Sequence, residues 1–407
     1  MLKLIIVVLV VSAVGATALI FGRGWYTKLS DSSPENLVEQ INHGFDGDVL
    51  IVGAGASGLA AANALERNGV DFTILEATDH YGGRVQKNEE FADFPIDLGA
   101  EWIHYDAPIL NRLIGSDADN PPVELISYVP SEIYSWDGQQ QSPISKVEIR
   151  LGQWSFPEYK FKTTTWYDFV DRHFAQPVKD RIVFNQVVTN IDYSGDGVVI
   201  TTQEGEAYAA DKVIVTVSPG VLQRNLINFV PALTSEWLEA IDSIQVLPGF
   251  KLFLKFKRDF YADIVEHVTE DGDRTYIDAA FGKDSKDHVM AVLVTGPVAN
   301  RYYDMGDEQA IVEGMITELD VIYNGQASDA FTGDSVMTDW GRHAYTLGTW
   351  TGDTGSEEEM QLLRSPLENK VYFTGASLQR HGQEATVHGA IMSGYDVVSD
   401  LLRAHSD

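Results

Sequence analysis

Four consecutive apolar residues at 49–52 lead into a glycine-rich turn and then into a run of small residues. An uninterrupted apolar stretch of this length is typical of a parallel strand that is covered on both faces. Gly53, Gly55 and Gly58 have the spacing of a tight turn in which the backbone approaches a phosphate and a helix begins close to the strand. The segment 48–61 therefore predicts a strand, a phosphate-binding turn and a helix. A glycine turn in another kind of α/β unit is the alternative.

A second apolar segment, residues 71–75, predicts the next strand and ends at Glu76. An acidic residue at the tip of the second strand, about 20 residues after the last glycine, is placed to bind a ribose hydroxyl pair. The turn residues Ala56 and Ser57 belong to the same predicted unit. The pattern predicts a dinucleotide site that would suit either NAD or FAD.

Apolar periodicity recurs along the rest of the chain and predicts a mixture of strands and helices. The predicted strands are 187–191, 198–202, 212–217, 248–256, 290–295 and 371–373, and the predicted helices are 165–174, 233–244 and 307–322, with another that begins near Thr386. The remainder of 106–180 gives no clear pattern. This mixture predicts an α/β fold. A chain of 407 residues is longer than one core usually supports, so two domains are expected.

The first segment has a different pattern, because residues 4–20 are almost all apolar. Residues 4–14 have the length of a signal-peptide core, and an A-x-A-like cleavage site follows at 16–18. Residues 4–21 also have about the minimum length for a membrane-spanning helix. Residues 1–30 are therefore predicted to be a signal peptide or a membrane anchor. Both alternatives predict the secretory route, with a product that is secreted, periplasmic or membrane-anchored.

The charge balance is strongly acidic, with 60 acidic residues, 29 basic residues and a net charge of −31. Such a charge argues against nucleic acid as a partner, because its phosphates would be repelled. The charge suits a cationic ligand, or a surface adapted to salt or solubility. The absence of cysteine excludes disulfides, thiolate metal sites and any cofactor attached through cysteine. His381 and His388 lack the carboxylate spacing of a metal site, so no metal is predicted.

Two further motifs follow the second predicted strand. Residues 82–84 read G-G-R, and residues 97–104 read D-L-G-A-E-W-I-H. In this order and spacing, after the glycine turn and Glu76, they resemble the flavin-dependent amine oxidase family, and the W-I-H ending most resembles its polyamine oxidases. The resemblance implies non-covalent FAD, with an arginine near the diphosphate, where a fixed cation offsets the negative charge. The positions that it assigns to FAD here are Gly83, Arg84, Leu98, Gly99 and Ala100.

Later segments extend the resemblance to the C-terminus. Val188 matches a valine whose backbone meets the adenine. Gly375 follows the predicted strand 371–373, and Thr386 and Val387 match a pair whose backbone amide meets the flavin ring. A helix N-terminus at this point would favour negative charge on the ring. The sequence departs from the family pattern at Ala376, where the family usually has a glutamate, and this departure predicts weaker FAD retention.

The strand predicted at 248–256 carries the candidate catalytic residue. Alternation places Lys251 on one face, where it either meets water or enters a cavity. The resemblance implies the second alternative, in which Lys251 holds a water beside flavin N5. It also implies that Trp350 and Trp102 shape the substrate cavity. His104 and Glu101 are the predicted polar groups near the amine.

The resemblance implies a discontinuous, Rossmann-like FAD-binding domain and a smaller mixed-sheet α+β substrate domain. The predicted ranges are 45–105, 181–232 and 366–407 for the first, and 106–180 and 233–365 for the second. The implied reaction oxidises an amine at the carbon next to its nitrogen and passes the electrons to dioxygen. The alternatives are a flavin desaturase or protoporphyrinogen-type oxidase, and a membrane-tethered flavoprotein without turnover. The oligomeric state cannot be inferred from the sequence.

Overall fold

The computed structural model describes residues 38–104, 107–116, 118, 120–149, 157–383 and 385–406. The predicted signal peptide or membrane anchor at residues 1–30 lies outside these ranges. Within them, no helix combines the length and the apolar character needed to cross a membrane.

A five-stranded parallel sheet is assembled from distant parts of the chain. Its strands, in spatial order, are Ile182–Val183, Asp71–Leu75, Asp48–Val52, Lys212–Val215 and Val371–Phe373. Side chains alternate between two hydrophobic clusters, one on each face, so that Val49 and Ile51 enter one cluster while Leu50 and Val52 enter the other. The continuous apolar run in the sequence is explained by this two-sided burial.

Two long helices cover one face of the parallel sheet, namely Ala56–Arg67 and Val387–Arg403. The two helices lie so close together that a Cβ added at Gly394 would be 2.3 Å from the Ser57 carbonyl oxygen. The hydroxyl of Tyr395 also donates a hydrogen bond to the Leu113 carbonyl at 2.8 Å. The C-terminal helix therefore supports the first turn of the N-terminal helix.

A four-stranded sheet and three helices cover the other face. The strands, in spatial order, are Ala207–Ala210, Val198–Thr202, Val188–Asp192 and Asn228–Val230, and the helices are Pro219–Gln223, Ser235–Asp242 and Glu357–Arg364. Together with the parallel sheet they form the larger lobe of the molecule. We call it the cofactor lobe.

A seven-stranded mixed sheet forms the second lobe, which we call the substrate lobe. Its strands, in spatial order, are Phe331–Thr338, Gly249–Phe256, His288–Thr295, Gly272–Asp278, Ile264–Thr269, Ile133–Trp136 and Gln141–Pro143. Three helices pack against its outer face, namely Val298–Tyr303, Glu308–Tyr323 and Gln326–Ala330. On this face Glu318 accepts hydrogen bonds from the hydroxyls of Tyr276 and Tyr302 and lies 3.1 Å from Arg274 Nε.

Short strands and helical turns connect the two lobes. The strand pairs are Lys87–Asn88 with Ile96–Asp97 and Val246–Leu247 with Trp350–Thr351, while Tyr159–Phe161 lies between Trp102–Ile103 and Leu125–Ser127. The short helices are Ile109–Leu113, Trp166–Val170, the π-helix Asp171–Ala175 and the 3₁₀ turn Lys179–Arg181.

The division into lobes differs from the predicted ranges in segment 106–180. Apolar side chains of Ile109–Leu113, Tyr159–Phe161 and Trp166–Ala175 pack in the core of the cofactor lobe, beside the helix Ala56–Arg67. Within that segment, the strands Ile133–Trp136 and Gln141–Pro143 join the seven-stranded sheet. The helices Ser235–Asp242 and Glu357–Arg364, expected in the substrate domain, also pack on the cofactor lobe, because their apolar stripes meet the parallel sheet.

Candidate active site

A cavity of about 980 Å³ lies between the two lobes. This volume is at the upper end of the range of about 300–1,000 Å³ typical of ligand pockets. Its wall is formed by the glycine turn, the G-G-R motif, residues 99–102 and the start of the C-terminal helix, together with the inner face of the seven-stranded sheet. All predicted site residues line it except Gly58 and Leu98.

The glycine turn is shaped by close backbone approaches. Gly53 has a φ of +107°, in the region that favours glycine. A Cβ at Gly58 would lie 2.0 Å from the Gly53 carbonyl oxygen, so Gly58 serves the packing of helix on strand rather than the cavity wall. Nothing lies within 4 Å of the position that a Cβ at Gly55 would take, which leaves open space over the turn. A diphosphate fits this space.

Glu76 is buried at the tip of the second strand, as its position in the sequence predicts. One carboxylate oxygen accepts a hydrogen bond from the Ala54 backbone N–H at 2.7 Å. The other accepts from the N–H and the hydroxyl of Thr78 at 3.0 and 2.8 Å. These bonds hold the carboxylate beside the glycine turn, where a ribose would lie.

Arg84 is a cation on the cavity wall without a carboxylate partner among the described residues. Its guanidinium donates one long hydrogen bond, of 3.3 Å, to the Thr349 carbonyl. Burial lowers the pKa of Arg84, yet a guanidinium remains charged in proteins. A half-buried cation with this little compensation fits an anionic ligand such as the FAD diphosphate.

The C-terminal segment supplies the opposite wall. Thr386 caps the helix Val387–Arg403, because its hydroxyl accepts from the Gly389 N–H at 2.9 Å. Ala385 has a φ of +58°, a left-handed conformation that turns the chain into the helix. Gly375, Ala376 and Val188 also line the cavity. With the glycine turn and Arg84, these positions fit a dinucleotide that extends across the lobe.

Leu98 lies outside the wall for a simple reason. Its side chain packs in a separate hydrophobic cluster with residues such as Phe253 and Ala291. Its carbonyl accepts a hydrogen bond from Trp340 Nε1 at 3.1 Å. Leu98 therefore anchors the loop, and the neighbouring Gly99 and Ala100 face the cavity.

Lys251 reaches from the substrate lobe into the cofactor lobe and is only 2% exposed. Its ammonium group donates to the carbonyls of Asp97 and Gly99 at 2.8 and 3.3 Å, and to Glu101 Oε2 at 2.6 Å. An ammonium group has three N–H bonds, and the three protein acceptors around Lys251 match that number. The contact with Gly99 is the longest of the three, so a water on Lys251 would compete with that bond.

Glu101 lies between two buried lysines. Its second oxygen is 2.5 Å from Lys160 Nζ, which packs over the rings of Trp102 and Tyr128 at 4.9 and 4.6 Å. Burial alone would raise the pKa of Glu101, but the charges of Lys160 and Lys251 outweigh burial and hold it well below its usual range. Glu101 was expected near the amine, yet both of its oxygens are held by lysines.

We call Lys160, Glu101 and Lys251 the Lys–Glu–Lys chain. Sequence reasoning missed Lys160, which lies in the segment without a clear pattern. The one available indication was the polar residue between Tyr159 and Phe161. Nearby, burial and the charge of Glu101 raise the pKa of the Asp97 carboxyl well above its usual range.

The remaining predicted residues line the substrate side of the cavity. Trp102 stacks beside His104 with ring centroids 6.4 Å apart, and His104 Nδ1 shares a hydrogen bond of 2.9 Å with Glu158. Trp350 is 39% exposed and pairs with Leu247 in a short strand. Trp350 is therefore available to a substrate, whereas the ring of Trp102 already packs against His104 and Lys160, and His104 is hydrogen-bonded. Across the described part of the chain, no group of three or more potential ligands could hold a metal ion.

Curated relatives cover most of this chain. Polyamine oxidase 1 of Zea mays is 26% identical over 471 aligned residues, which cover 87% of this chain and 90% of that protein. Lysine-specific histone demethylase 1B of Mus musculus is also 26% identical and matches 88% of this chain, which spans 53% of the demethylase.

Solved structures show the same fold at lower identity. A mutant putrescine oxidase superposes with a TM-score of 0.72 at 16% identity, over 88% of this chain and 99% of the other. Cyclohexylamine oxidase from Brevibacterium oxydans superposes with a TM-score of 0.69 at 18% identity and the same coverage.

The profile of the flavin containing amine oxidoreductases matches residues 56–146 and 166–402. These ranges include the N-terminal helix, the Lys–Glu–Lys chain except Lys160, and the C-terminal helix except its last residue. The match spans well over half of the sequence, and the chain therefore belongs to the flavin containing amine oxidoreductase family.

Proposed function

We propose that this protein is an FAD-dependent oxidase of polyamines or of other primary or secondary amines. It would remove hydride from a carbon next to the amine nitrogen, and water would hydrolyse the resulting imine to an aldehyde. One observation carries the proposal. The glycine turn, Arg84, which has no carboxylate partner among the described residues, and the buried Lys251 face the same cavity, whose substrate side is lined by Trp102 and Trp350.

The residues that would hold FAD are those with matching chemistry on the wall. Glu76 would bind the ribose, Arg84 and the glycine turn the diphosphate, and the N-terminus at Val387 the flavin ring. The group, when bound, supplies a hydride acceptor that dioxygen reoxidises with release of hydrogen peroxide. Absence of cysteine from the sequence rules out a cysteinyl link, which is in accord with non-covalent binding.

The chain's own residues would orient the amine and exclude water. Trp350 would present an apolar face to an alkyl chain and, by cation–π attraction, favour a charged amine, while Trp102 would form the neighbouring wall. The Lys–Glu–Lys chain fixes the ammonium of Lys251 at the junction of the two lobes. A water bound there would sit beside the reacting centre with a fixed donor, which is the role proposed for Lys251.

Amine oxidation can be tested with the purified protein. We expect a flavin absorption spectrum and hydrogen peroxide release on addition of spermine, N-acetylspermine or tyramine, with amino acids as further candidates. A yellow protein that yields peroxide with none of these amines would refute the oxidase. A colourless protein that does not take up added FAD would favour a chain without turnover, for which Ala376 gives a reason.

Replacing Arg84 by methionine should raise the dissociation constant of FAD about 10- to 100-fold, since a charge-assisted hydrogen bond to an anion contributes about 1.5–3 kcal/mol. The measurement is fluorescence titration of the FAD-free protein. The Arg258→Met control removes an exposed arginine that pairs with Asp329, and it should leave FAD affinity unchanged. Equal affinity in the Arg84 variant and the wild type would contradict the assignment.

The acidic surface leads to a separate prediction for a polyamine substrate. A net charge of −31 should attract a polycation, and salt screens that attraction, because the Debye length falls from about 10 Å at 0.1 M to about 3 Å at 1 M. The KM for spermine should therefore rise steeply with sodium chloride concentration. A flat profile would show that the net charge has no part in substrate capture.

A further inference from the structure

Four residues form a straight row across four neighbouring strands of the substrate lobe. Lys251 is paired with Leu293, Leu293 with Thr275, and Thr275 with Glu266. Paired residues in adjacent strands point to the same face, and all four line the cavity. Strands lie about 4.8 Å apart, so the backbones of Lys251 and Glu266 are about 14 Å from each other. The row leads from the junction of the lobes across four of the seven strands of the sheet.

An apolar row runs beside it. Ile277 is paired with Ile264, and Ile264 with Ile133, and these three side chains also line the cavity. The floor between Lys251 and Glu266 is therefore formed by aliphatic groups and one threonine. Such a floor suits a chain of methylene groups, which would bury apolar area along the whole distance.

Glu266 differs from the other carboxylates that the described residues place on the cavity wall. The other four are held by protein groups: Glu76 by Ala54 and Thr78, Glu101 by two lysines, Glu148 by Ser145, and Glu158 by His104. For the carboxylate of Glu266 the described residues provide neither a hydrogen bond nor an ion pair. A carboxylate in a largely apolar cavity is then compensated only when a cation binds to it.

Charges of the same hairpin do not neutralise Glu266. Arg274 and His267 lie on the opposite face of the sheet, where they form a cluster with Glu318. Asp273, on the strand next to Glu266, adds a second negative charge. Burial, with a smaller contribution from Asp273, raises the pKa of Glu266 above its usual value. An ammonium group would relieve both the desolvation and the repulsion.

We infer that Glu266 binds the distal ammonium group of a diamine or polyamine whose other amine is oxidised near Lys251. The inference rests on the proposed function and makes it more specific. The seven-stranded sheet then selects substrates with two cations separated by a methylene chain. Glu266 acts on binding and specificity, at a distance from the reacting carbon.

The test compares matched diamines and monoamines in the wild type, Glu266→Gln and Glu270→Gln holoproteins. Glu270 is exposed and lies in the turn that follows the strand of Glu266, so its variant removes the same charge outside the cavity. For 1,8-diaminooctane we expect kcat/KM to fall about 10- to 100-fold in Glu266→Gln, through loss of a charge-assisted hydrogen bond. For octylamine we expect it to remain unchanged or to rise. Glu270→Gln should behave as the wild type with both substrates.

Loss of activity by the same factor for octylamine, or no loss for the diamine, would overturn the role of Glu266. Calorimetric binding of 1,8-diaminooctane separates this result from failure of the proposed function. If the holoprotein oxidises no amine, the oxidase proposal fails. In that case weaker diamine binding by Glu266→Gln than by the wild type still supports the subsite at Glu266. Equal binding by Glu266→Gln and the wild type overturns it.

Discussion

Replacing Glu101 by glutamine is expected to lower the free energy of unfolding by about 3–5 kcal/mol, the cost of removing one partner from a buried ion pair. The carboxylate lies within 2.6 Å of both Lys160 and Lys251, and each of these lysines is at most 2% exposed. A glutamine at this position offers one neutral acceptor for two ammonium groups. The variant leaves two positive charges facing each other in a desolvated space.

Urea unfolding at one fixed, saturating FAD concentration measures this change, because bound ligand adds to stability in every variant alike. The control is Glu124→Gln. Glu124 pairs with Lys162 at 2.7 Å, two residues after Lys160, but with 59% of the glutamate side chain exposed. Exposed pairs contribute about 0–1 kcal/mol. Similar losses in the two variants would contradict the assignment of the Lys–Glu–Lys chain as a buried structural element.

Replacing Lys251 by methionine should slow the reoxidation of the reduced holoprotein by dioxygen at least about 100-fold, the lower range for loss of a positioned proton-transfer group. Methionine fills a similar volume but cannot hold a water or donate to the carbonyls of Asp97 and Gly99. Glu101 keeps Lys160 as a partner, so the loss of stability should be smaller than in the Glu101 variant.

Stopped-flow mixing of the reduced protein with oxygenated buffer gives this rate directly. Lys255→Met is the matched control, because Lys255 lies on the same strand and pairs with Asp287 outside the cavity. Its reoxidation should match that of the wild type. An unchanged rate in Lys251→Met would refute the proposed role, whatever happens to substrate affinity.

Local patterns predicted the cofactor lobe well. The strand Asp48–Val52, the turn and the helix Ala56–Arg67 follow from residues that are adjacent in sequence, and their outcome depends little on distant parts of the chain. The start of the last helix near Thr386 was likewise predicted from its neighbours in the sequence, and the structure places Thr386 as its cap. The family assignment made from the motifs is confirmed by the profile match.

The site residues that the sequence could not predict depend on contacts between strands that are far apart in the sequence. The alternation of side chains could not decide whether Lys251 faces water or enters a cavity. That outcome depends on residues 97–101, which contact the strand of Lys251 although they are about 150 positions away in the sequence. Lys160 and Glu266 were not predicted, because the role of each depends on residues that other strands place around it. A single lysine between two aromatics, or a glutamate between valine and histidine, has no periodic feature that distinguishes it from a surface residue.

The discontinuous cofactor lobe also sets an order of events during synthesis. Ribosomes deliver a chain from its N-terminus at about 5–20 residues per second. The glycine turn therefore emerges well before the strand Val371–Phe373 and the helix Val387–Arg403. Thr374, directly after that strand, hydrogen-bonds to Ser57 at the start of the first helix, and Gly394 of the last helix packs against the Ser57 carbonyl. The nascent chain therefore has only part of this cavity wall until residues 371–403 have been synthesised. Cofactor binding at the site proposed for FAD would require these later elements as well as the glycine turn.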